Sequence, residues 1–144
     1  MTKTATQTII VTHRFDASPE RVFDAWMDPD RMRRFLFATA SGEIIKVEVD
    51  PRLGGGFVVV DRRPDMGDVE HYGRYVEVDR PRRLAFDFAL SADMQDSTRV
   101  TLDIRPMGEG CELTLTHDGV WADYAERTEG GWTTILGGLE KAVS

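Results

Sequence analysis

The chain has 144 residues, of which 41% are hydrophobic and 30% are charged, as in a soluble domain with a proper core. Its formal net charge of -7 argues against a nucleic-acid partner, because phosphate binding depends on Lys and Arg. No apolar run approaches the roughly 18 residues of a membrane span, and the N-terminal segment lacks the features of a secretory signal. We therefore expect one domain over residues 1–144, without a membrane span and in the cytoplasm.

The first third of the chain predicts one strand and two short helices. Residues 7–16 are rich in β-branched side chains and alternate between apolar and polar, which indicates a strand. Ser18 is a suitable N-cap for the first helix, with Pro19 at its first position. The Asp-Pro pair at 28–29 interrupts the apolar stripe, and a second short helix is expected over 30–35.

From Glu43 onward the apolar residues recur with a period of two and predict six strands. Short connections of turn residues separate these strands, which favours antiparallel pairing. The last segment, from Val120, is expected to be helical. The strands are expected at residues 43–50, 57–61, 69–79, 84–90, 98–106 and 111–119.

Several of these strands have one apolar face, including Leu84, Phe86, Phe88 and Leu90 on a single strand. Only the helices are available to cover that face. The sequence therefore predicts an α+β two-layer domain, in which a curved antiparallel sheet of about seven strands surrounds a long C-terminal helix.

Five segments in the same order resemble the START-like superfamily, also called SRPBCC, helix-grip or Bet v 1-like. They read RFDASPERVFDAWMDPDRM, VDPRLGGGF, GRYVEVDRPRRLAF, LTLTHDG and GGWTTILGGLEKAV. The set is most similar to the branch of the activator of the heat-shock-protein-90 ATPase. The resemblance implies a cavity between the sheet and the C-terminal helix. In the superfamily such cavities hold hydrophobic or aromatic compounds and in a few branches host catalysis, whereas the chaperone activators use the domain for protein contact.

The chain departs from this branch after the second helix. Members often carry a Trp where Phe35 stands, and the segment usually ends in a Gly-Pro turn. Here Leu36 and Phe37 follow, and the chain continues ATASGE. Because this segment forms a rim of the cavity in the fold, we expect the rim to be reshaped.

The apolar candidates for the cavity wall are mostly aromatic, and they favour an apolar or aromatic ligand over a sugar or phosphate. Three polar candidates accompany them. His117 continues the inward alternation of its strand, where it either forms a hydrogen bond at the cavity end or contacts a ligand. The pattern leaves both faces open for His71 and Tyr75, although Gly73 between them favours the inward one. The full candidate set is Trp26, Phe35, Phe57, His71, Tyr75, Phe86, Phe88, His117, Trp132 and Leu136.

No metal, cofactor or catalytic residue is predicted. The three histidines lie on different strands without metal-ligand spacing, and Cys111 has no neighbour in sequence that would activate it. We expect the binding of a small hydrophobic or aromatic molecule. The alternatives are a chaperone-activator-like module with a chaperone or other protein as partner, and a cavity enzyme of cyclase or hydrolase type, which would need His117 with His71 or Tyr75.

Two glycine pairs interrupt the C-terminal helix. Trp132, Leu136, Leu139 and Val143 share the face that should lie on the sheet. The pair at 130–131 is expected to break or re-aim the helix just before that face. The pair at 137–138 is expected either to soften the helix or to let a neighbouring backbone approach it.

Overall fold

The predicted α+β helix-grip fold is confirmed in the computed structural model, which describes residues 5–39 and 41–144. One seven-stranded antiparallel sheet is present, and a 19-residue C-terminal helix lies against it. No helix in the described part of the chain is long and apolar enough to cross a membrane. The elements are β1 (Thr6–Phe15), α1 (Pro19–Ala25), α2 (Pro29–Phe35), β2 (Glu43–Val49), β3 (Gly56–Arg63), β4 (Gly67–Asp79), β5 (Arg83–Ala89), β6 (Thr98–Met107), β7 (Gly110–Trp121), a 3₁₀ turn (Ala122–Tyr124) and α3 (Ala125–Val143). The strand order in the sheet is β1-β7-β6-β5-β4-β3-β2.

Both short helices begin with a side-chain cap followed by proline. The Ser18 hydroxyl accepts a hydrogen bond from the backbone N–H of Arg21 at 3.2 Å. At α2 the Asp28 carboxylate accepts from the backbone N–H of Asp30 at 3.0 Å. Each cap satisfies one of the N–H groups that a helix start leaves unpaired, and it fixes where α1 and α2 leave the edge of the sheet.

The core lies between α3 and the inner face of the sheet. All four residues predicted for the sheet-facing side of α3 are buried, and Leu136 and Leu139 are fully so. Burial of a large apolar side chain contributes about 1.5–3 kcal/mol. This face therefore stabilises the helix by more than its glycines cost, at about 1 kcal/mol each.

The prediction that the last segment is helical from Val120 is wrong, since β7 continues to Trp121 and α3 begins at Ala125. The extra strand residues pair with the start of β1, where Val120 lies opposite Gln7. Val120 is buried in a small apolar cluster with Ile9 and Ala125. This long-range pairing outweighs local helix propensity.

The expected break at Gly130–Gly131 is also absent, because α3 runs through both residues. The hydroxyls of Thr133 and Thr134 donate to the carbonyls of Glu129 and Gly130, at 2.9 and 3.1 Å. Nothing outside the helix lies within 4 Å of a Cβ placed at either glycine. The helix is continuous across its glycines, and the buried side chains of Trp132 and Leu136 hold it against the sheet.

Gly138, in contrast, is the point where α2 approaches α3. A Cβ placed there would lie 3.2 Å from Phe35 Cβ and 3.5 Å from Phe35 Cα. At Gly137 nothing lies within 4 Å. The close-approach alternative therefore accounts for Gly138, and the space beside Gly137 is open.

We expect Gly137→Ala to raise the free energy of unfolding by about 1 kcal/mol, because alanine is the better helix former and meets no neighbour. Gly138→Ala should gain clearly less than Gly137→Ala, since Phe35 must move to accept the methyl group. Urea unfolding of both variants measures the difference. Equal stabilisation by the two substitutions would contradict the packing explanation for Gly138.

Candidate ligand-binding site

A cavity of about 610 Å³ opens between the inner face of the sheet and the first half of α3. Four parts of the chain build its wall: the β3–β4 hairpin, the ends of β5 and β7, α3, and the segment after α2. Leu90, predicted for the apolar inner face, lies just past β5 at this opening and is 63% exposed. The lining residues are Phe37, Ala38, Thr39, Arg63, Met66, Val69, His71, Phe88, Leu90, His117, Arg127, Thr128, Gly131, Trp132, Thr134 and Ile135.

The structure brings together four of the ten residues predicted for the cavity, namely His71, Phe88, His117 and Trp132. The other six lie in the solid core rather than on this wall, because they fill the space between the sheet and the helices themselves. Two edge-to-face ring pairs at 5.2 Å, one between Trp26 and Phe35 and one between Phe57 and Phe86, occupy that space. The cavity therefore lies at one end of the space between the sheet and α3, and the packed core fills the rest of that space. The six core residues are Trp26, Phe35, Phe57, Tyr75, Phe86 and Leu136.

His117 has both ring nitrogens engaged. The indole Nε1–H of Trp132 can only donate, so Nδ1 of His117 accepts this bond at 3.0 Å. The proton of the neutral ring is then on Nε2, which donates to the Thr98 hydroxyl at 2.7 Å. Burial lowers the pKa of His117 to about 4, which keeps the ring neutral at physiological pH. Of the two roles considered for His117, the hydrogen-bonded one fits this geometry, and the residue fixes the Trp132 ring in the cavity wall.

His71 differs because one of its nitrogens is free. The carbonyl of Val59 can only accept, so Nδ1–H of His71 donates to it at 3.2 Å. Burial is also the main cause that lowers the pKa of His71 to about 4, so Nε2 carries a lone pair. In the described part of the chain Nε2 has no hydrogen-bond partner, and it is not among the fully enclosed polar atoms. This nitrogen can accept a hydrogen bond from a molecule in the cavity.

The inward orientation favoured for His71 and Tyr75 is what the structure has, with both side chains buried. Gly73 between them leaves room for the Phe57 ring, which lies against its backbone from the neighbouring strand. The Tyr75 hydroxyl donates to the Trp26 carbonyl at 3.3 Å, and burial raises its pKa. Tyr75 is therefore a core residue, bonded at the C-terminal end of α1, and it is not among the residues that line the cavity.

Phe37 is the one aromatic ring of the cavity wall that the sequence analysis did not name as a wall candidate. Its backbone has a φ of 59°, in the left-handed region that costs a residue with a Cβ about 1–2 kcal/mol. The ring lies over His71 with 4.2 Å between centroids and 4° between planes. Phe88 and Trp132 flank it at 5.1 and 5.7 Å. The departure from the family pattern after α2 was the only sequence signal for this rim.

A buried carboxylate holds the same segment in place. Asp61 is fully buried on β3, and its Oδ2 accepts from the Thr39 hydroxyl at 3.0 Å and from Arg63 Nε at 2.8 Å. The Thr39 bond ties the chain two residues after Phe37 to the sheet. Arg63 thereby contributes to the cavity rim while its charge is balanced by Asp61.

Arg127 supplies the other positive charge of the rim. Its guanidinium lies 5.7 Å from the centre of the Tyr124 ring, and no carboxylate within the described ranges lies within 4 Å of it. Among residues 5–39 and 41–144 no group of three or more His, Cys, Asp or Glu side chains could hold a metal ion. The titratable groups of the site are thus two neutral histidines inside and two arginines at the opening.

Comparison with known proteins agrees with this architecture. A protein from Chromobacterium violaceum is 25% identical, with a TM-score of 0.83 over 94% of this chain and 96% of that one. An AHSA1-like protein from Aeromonas hydrophila is 23% identical, with a TM-score of 0.81 over 95% and 92% of the two chains. A Staphylococcus aureus protein of unknown function is 12% identical, with a TM-score of 0.85 over 98% and 95%. At such identities the last two show the fold alone.

No curated protein matches the sequence significantly. The sequence model of the family described as "Activator of Hsp90 ATPase homolog 1-like protein" matches residues 16–144, which include every helix and every strand except β1. The chain therefore belongs to the Activator of Hsp90 ATPase homolog 1-like family.

Proposed function

We propose that the protein binds a small hydrophobic or aromatic molecule in the cavity between the sheet and α3. The observation that carries this proposal is the cavity itself, which is about 610 Å³ in volume and has a mostly apolar wall with a few polar side chains. Sites for small organic ligands have volumes of about 300–1,000 Å³ and a similar lining. The free Nε2 of His71 supplies one orienting acceptor inside.

The polar groups favour a particular arrangement of the ligand. A hydroxyl or N–H group on the buried end can donate to Nε2 of His71. Arg127 at the opening, which has no carboxylate within 4 Å among the described residues, favours an acidic group on the outer end. The proposed ligand is therefore an amphipathic acid with an apolar or aromatic body.

The proposal predicts that 2-naphthoate and dodecanoate bind saturably and that filling the cavity weakens their binding. Thr134 lines the cavity, so Thr134→Trp places a large ring in it. Thr133 is the matched control, because it is exposed on the same helix, donates to a helix carbonyl in the same way, and is absent from the lining. We expect Thr134→Trp to weaken binding about tenfold or more, equivalent to about 1.4 kcal/mol.

Isothermal titration calorimetry of the wild type and both variants provides the measurement. Thr133→Trp should bind both acids as the wild type does. Absence of saturable binding by the wild type would contradict the proposal, as would equal weakening by the two tryptophan substitutions.

The family match also favours a second function, stimulation of a chaperone ATPase through protein contact. The exposed apolar side chains Met66, Leu90 and Tyr124 lie at or beside the cavity opening and could contact a partner. The outer sheet face suits contact less well, because cross-strand ion pairs such as Arg99 with Asp87 satisfy its charges. The test is to measure the chaperone ATPase rate with and without this protein. An unchanged rate would contradict the chaperone-activator function.

The remaining alternative, a cavity enzyme, has less support in the geometry. It needs a free acid or base, and both nitrogens of His117 are already bonded. The Tyr75 hydroxyl is bonded in the core. Only His71 retains a free nitrogen, without a second titratable group among the contacts of its ring.

A further inference from the structure

The Phe37 ring is packed as a bound aromatic molecule would be. It lies almost parallel to two rings at once, at 4° to His71 and 20° to Phe88, with centroid distances of 4.2 and 5.1 Å. His71 and Phe88 are themselves side by side, 6.1 Å apart and 18° from parallel. Together they form a flat platform on the sheet, and Trp132 closes one side of it at 58° to the Phe37 ring. Offset stacking of this kind is the arrangement that aromatic rings prefer.

Phe37 reaches this platform from outside the regular elements. It follows the last helical residue of α2 by two positions and adopts a φ of 59°. A residue with a Cβ takes this conformation only where other contacts hold it there. Here the holding contacts are the ring stack and the Thr39–Asp61 hydrogen bond. If this segment moves away from the platform, the backbone of Phe37 can leave the left-handed region. The strain that is then relieved offsets part of the loss of ring contacts.

We propose that His71, Phe88 and Trp132 form a subsite for the planar aromatic ring of a ligand, and that Phe37 occupies this subsite until the ligand displaces it. Phe37 is thus a specificity-determining residue. A ligand that displaces Phe37 must stack on the platform at least as well as a benzyl group does, which favours flat fused or conjugated rings over saturated ones. This inference rests on the proposed ligand-binding function and narrows its ligand class.

The competition has a measurable size. A ligand whose subsite is free in only a fraction of molecules has its apparent affinity reduced by that fraction. If Phe37 fills the subsite in about nine of ten molecules, removing its ring should tighten binding about tenfold. Phe37→Gly removes the ring and also suits the positive φ.

The test compares two acids that differ in planarity, 2-naphthoate and its saturated analogue decahydro-2-naphthoate, by isothermal titration calorimetry. We expect Phe37→Gly to bind 2-naphthoate about tenfold more tightly than the wild type does, with a clearly smaller gain for the saturated acid. Phe37→Leu is the matched control, because it keeps an apolar side chain at this position without a flat ring. It should show an intermediate gain for 2-naphthoate.

A second variant keeps the test decisive if Phe37→Gly does not fold. Thr39→Val removes the hydrogen bond to Asp61 and leaves the Phe37 ring and the Arg63–Asp61 pair intact. It should also tighten 2-naphthoate binding, by less than Phe37→Gly.

The outcomes distinguish failure of the subsite inference from failure of the proposed ligand-binding function. If both acids bind the wild type but neither Phe37→Gly nor Thr39→Val changes the preference between them, the subsite inference is overturned and the proposed function stands. If neither acid binds the wild type or any variant, both fail.

Discussion

Between pH 6.5 and pH 4 the free energy of unfolding should fall by about 3 kcal/mol for each of His71 and His117. Both rings are buried and neutral, and burial lowers the pKa of each to about 4 from an ordinary value of 6.5. In this interval both histidines are protonated in the unfolded chain but stay neutral in the folded chain, so a lower pH favours unfolding. The contribution of the two neutral histidines to the free energy of unfolding is fully present above pH 6.5. It is lost as the pH falls from 6.5 towards 4.

Urea unfolding at a series of pH values measures this loss. His71→Gln and His117→Gln should each remove about half of the decline, and the double variant most of it. Asp24, Asp68 and Asp93 also have lowered pKa values, but their contribution is lost mainly below this interval and they lie in well-solvated positions. An undiminished decline in the double variant would show that the histidines are not its source.

Replacement of Trp132 should have a comparably large effect, because this residue belongs both to the core and to the cavity wall. Trp132→Ala should lower the free energy of unfolding by about 3–5 kcal/mol, as expected for a buried aromatic residue. Trp132→Phe keeps most of the ring but leaves Nδ1 of His117 without its donor. Trp132→Phe should therefore lower the free energy of unfolding by about 1–3 kcal/mol.

Trp121→Phe is the matched control, since Trp121 is 52% exposed at the end of β7. Trp121→Phe should change the free energy of unfolding by no more than about 0.5 kcal/mol. Chemical denaturation followed by far-UV circular dichroism compares the three variants without relying on tryptophan emission. A loss at Trp121→Phe equal to that at Trp132→Phe would contradict a special role for the indole hydrogen bond.

Much of the fold was predictable because its signals are local. The period of two along β5 and β7, the Ser18 cap and the apolar stripe of α3 each depend on neighbouring residues, and the structure contains all of them. The start of α3 was not predictable in the same way. It depends on the pairing of Val120 with Gln7, which lie 113 residues apart and meet only in the folded sheet.

The site was less predictable than the fold. Inward-facing residues such as His117 and Phe88 could be identified from alternation, but alternation does not distinguish a packed core from a cavity wall. Tyr75 and Phe86 have the same pattern and lie in the core. Phe37 lies outside any periodic element, and its place over His71 follows from a positive φ that no pattern in the sequence announces.

Intermolecular nuclear Overhauser effects between bound 2-naphthoate and the labelled methyl groups of the protein test the central claim most directly. The proposed site predicts contacts from the probe to the methyl groups of Val69, Leu90 and Ile135, which line the cavity. A second groove, which shares no lining residue with the cavity, offers an internal control, since Val49 and Val58 line it. Contacts confined to Val49 and Val58, or none with any methyl group at saturating probe, would contradict binding between the sheet and α3.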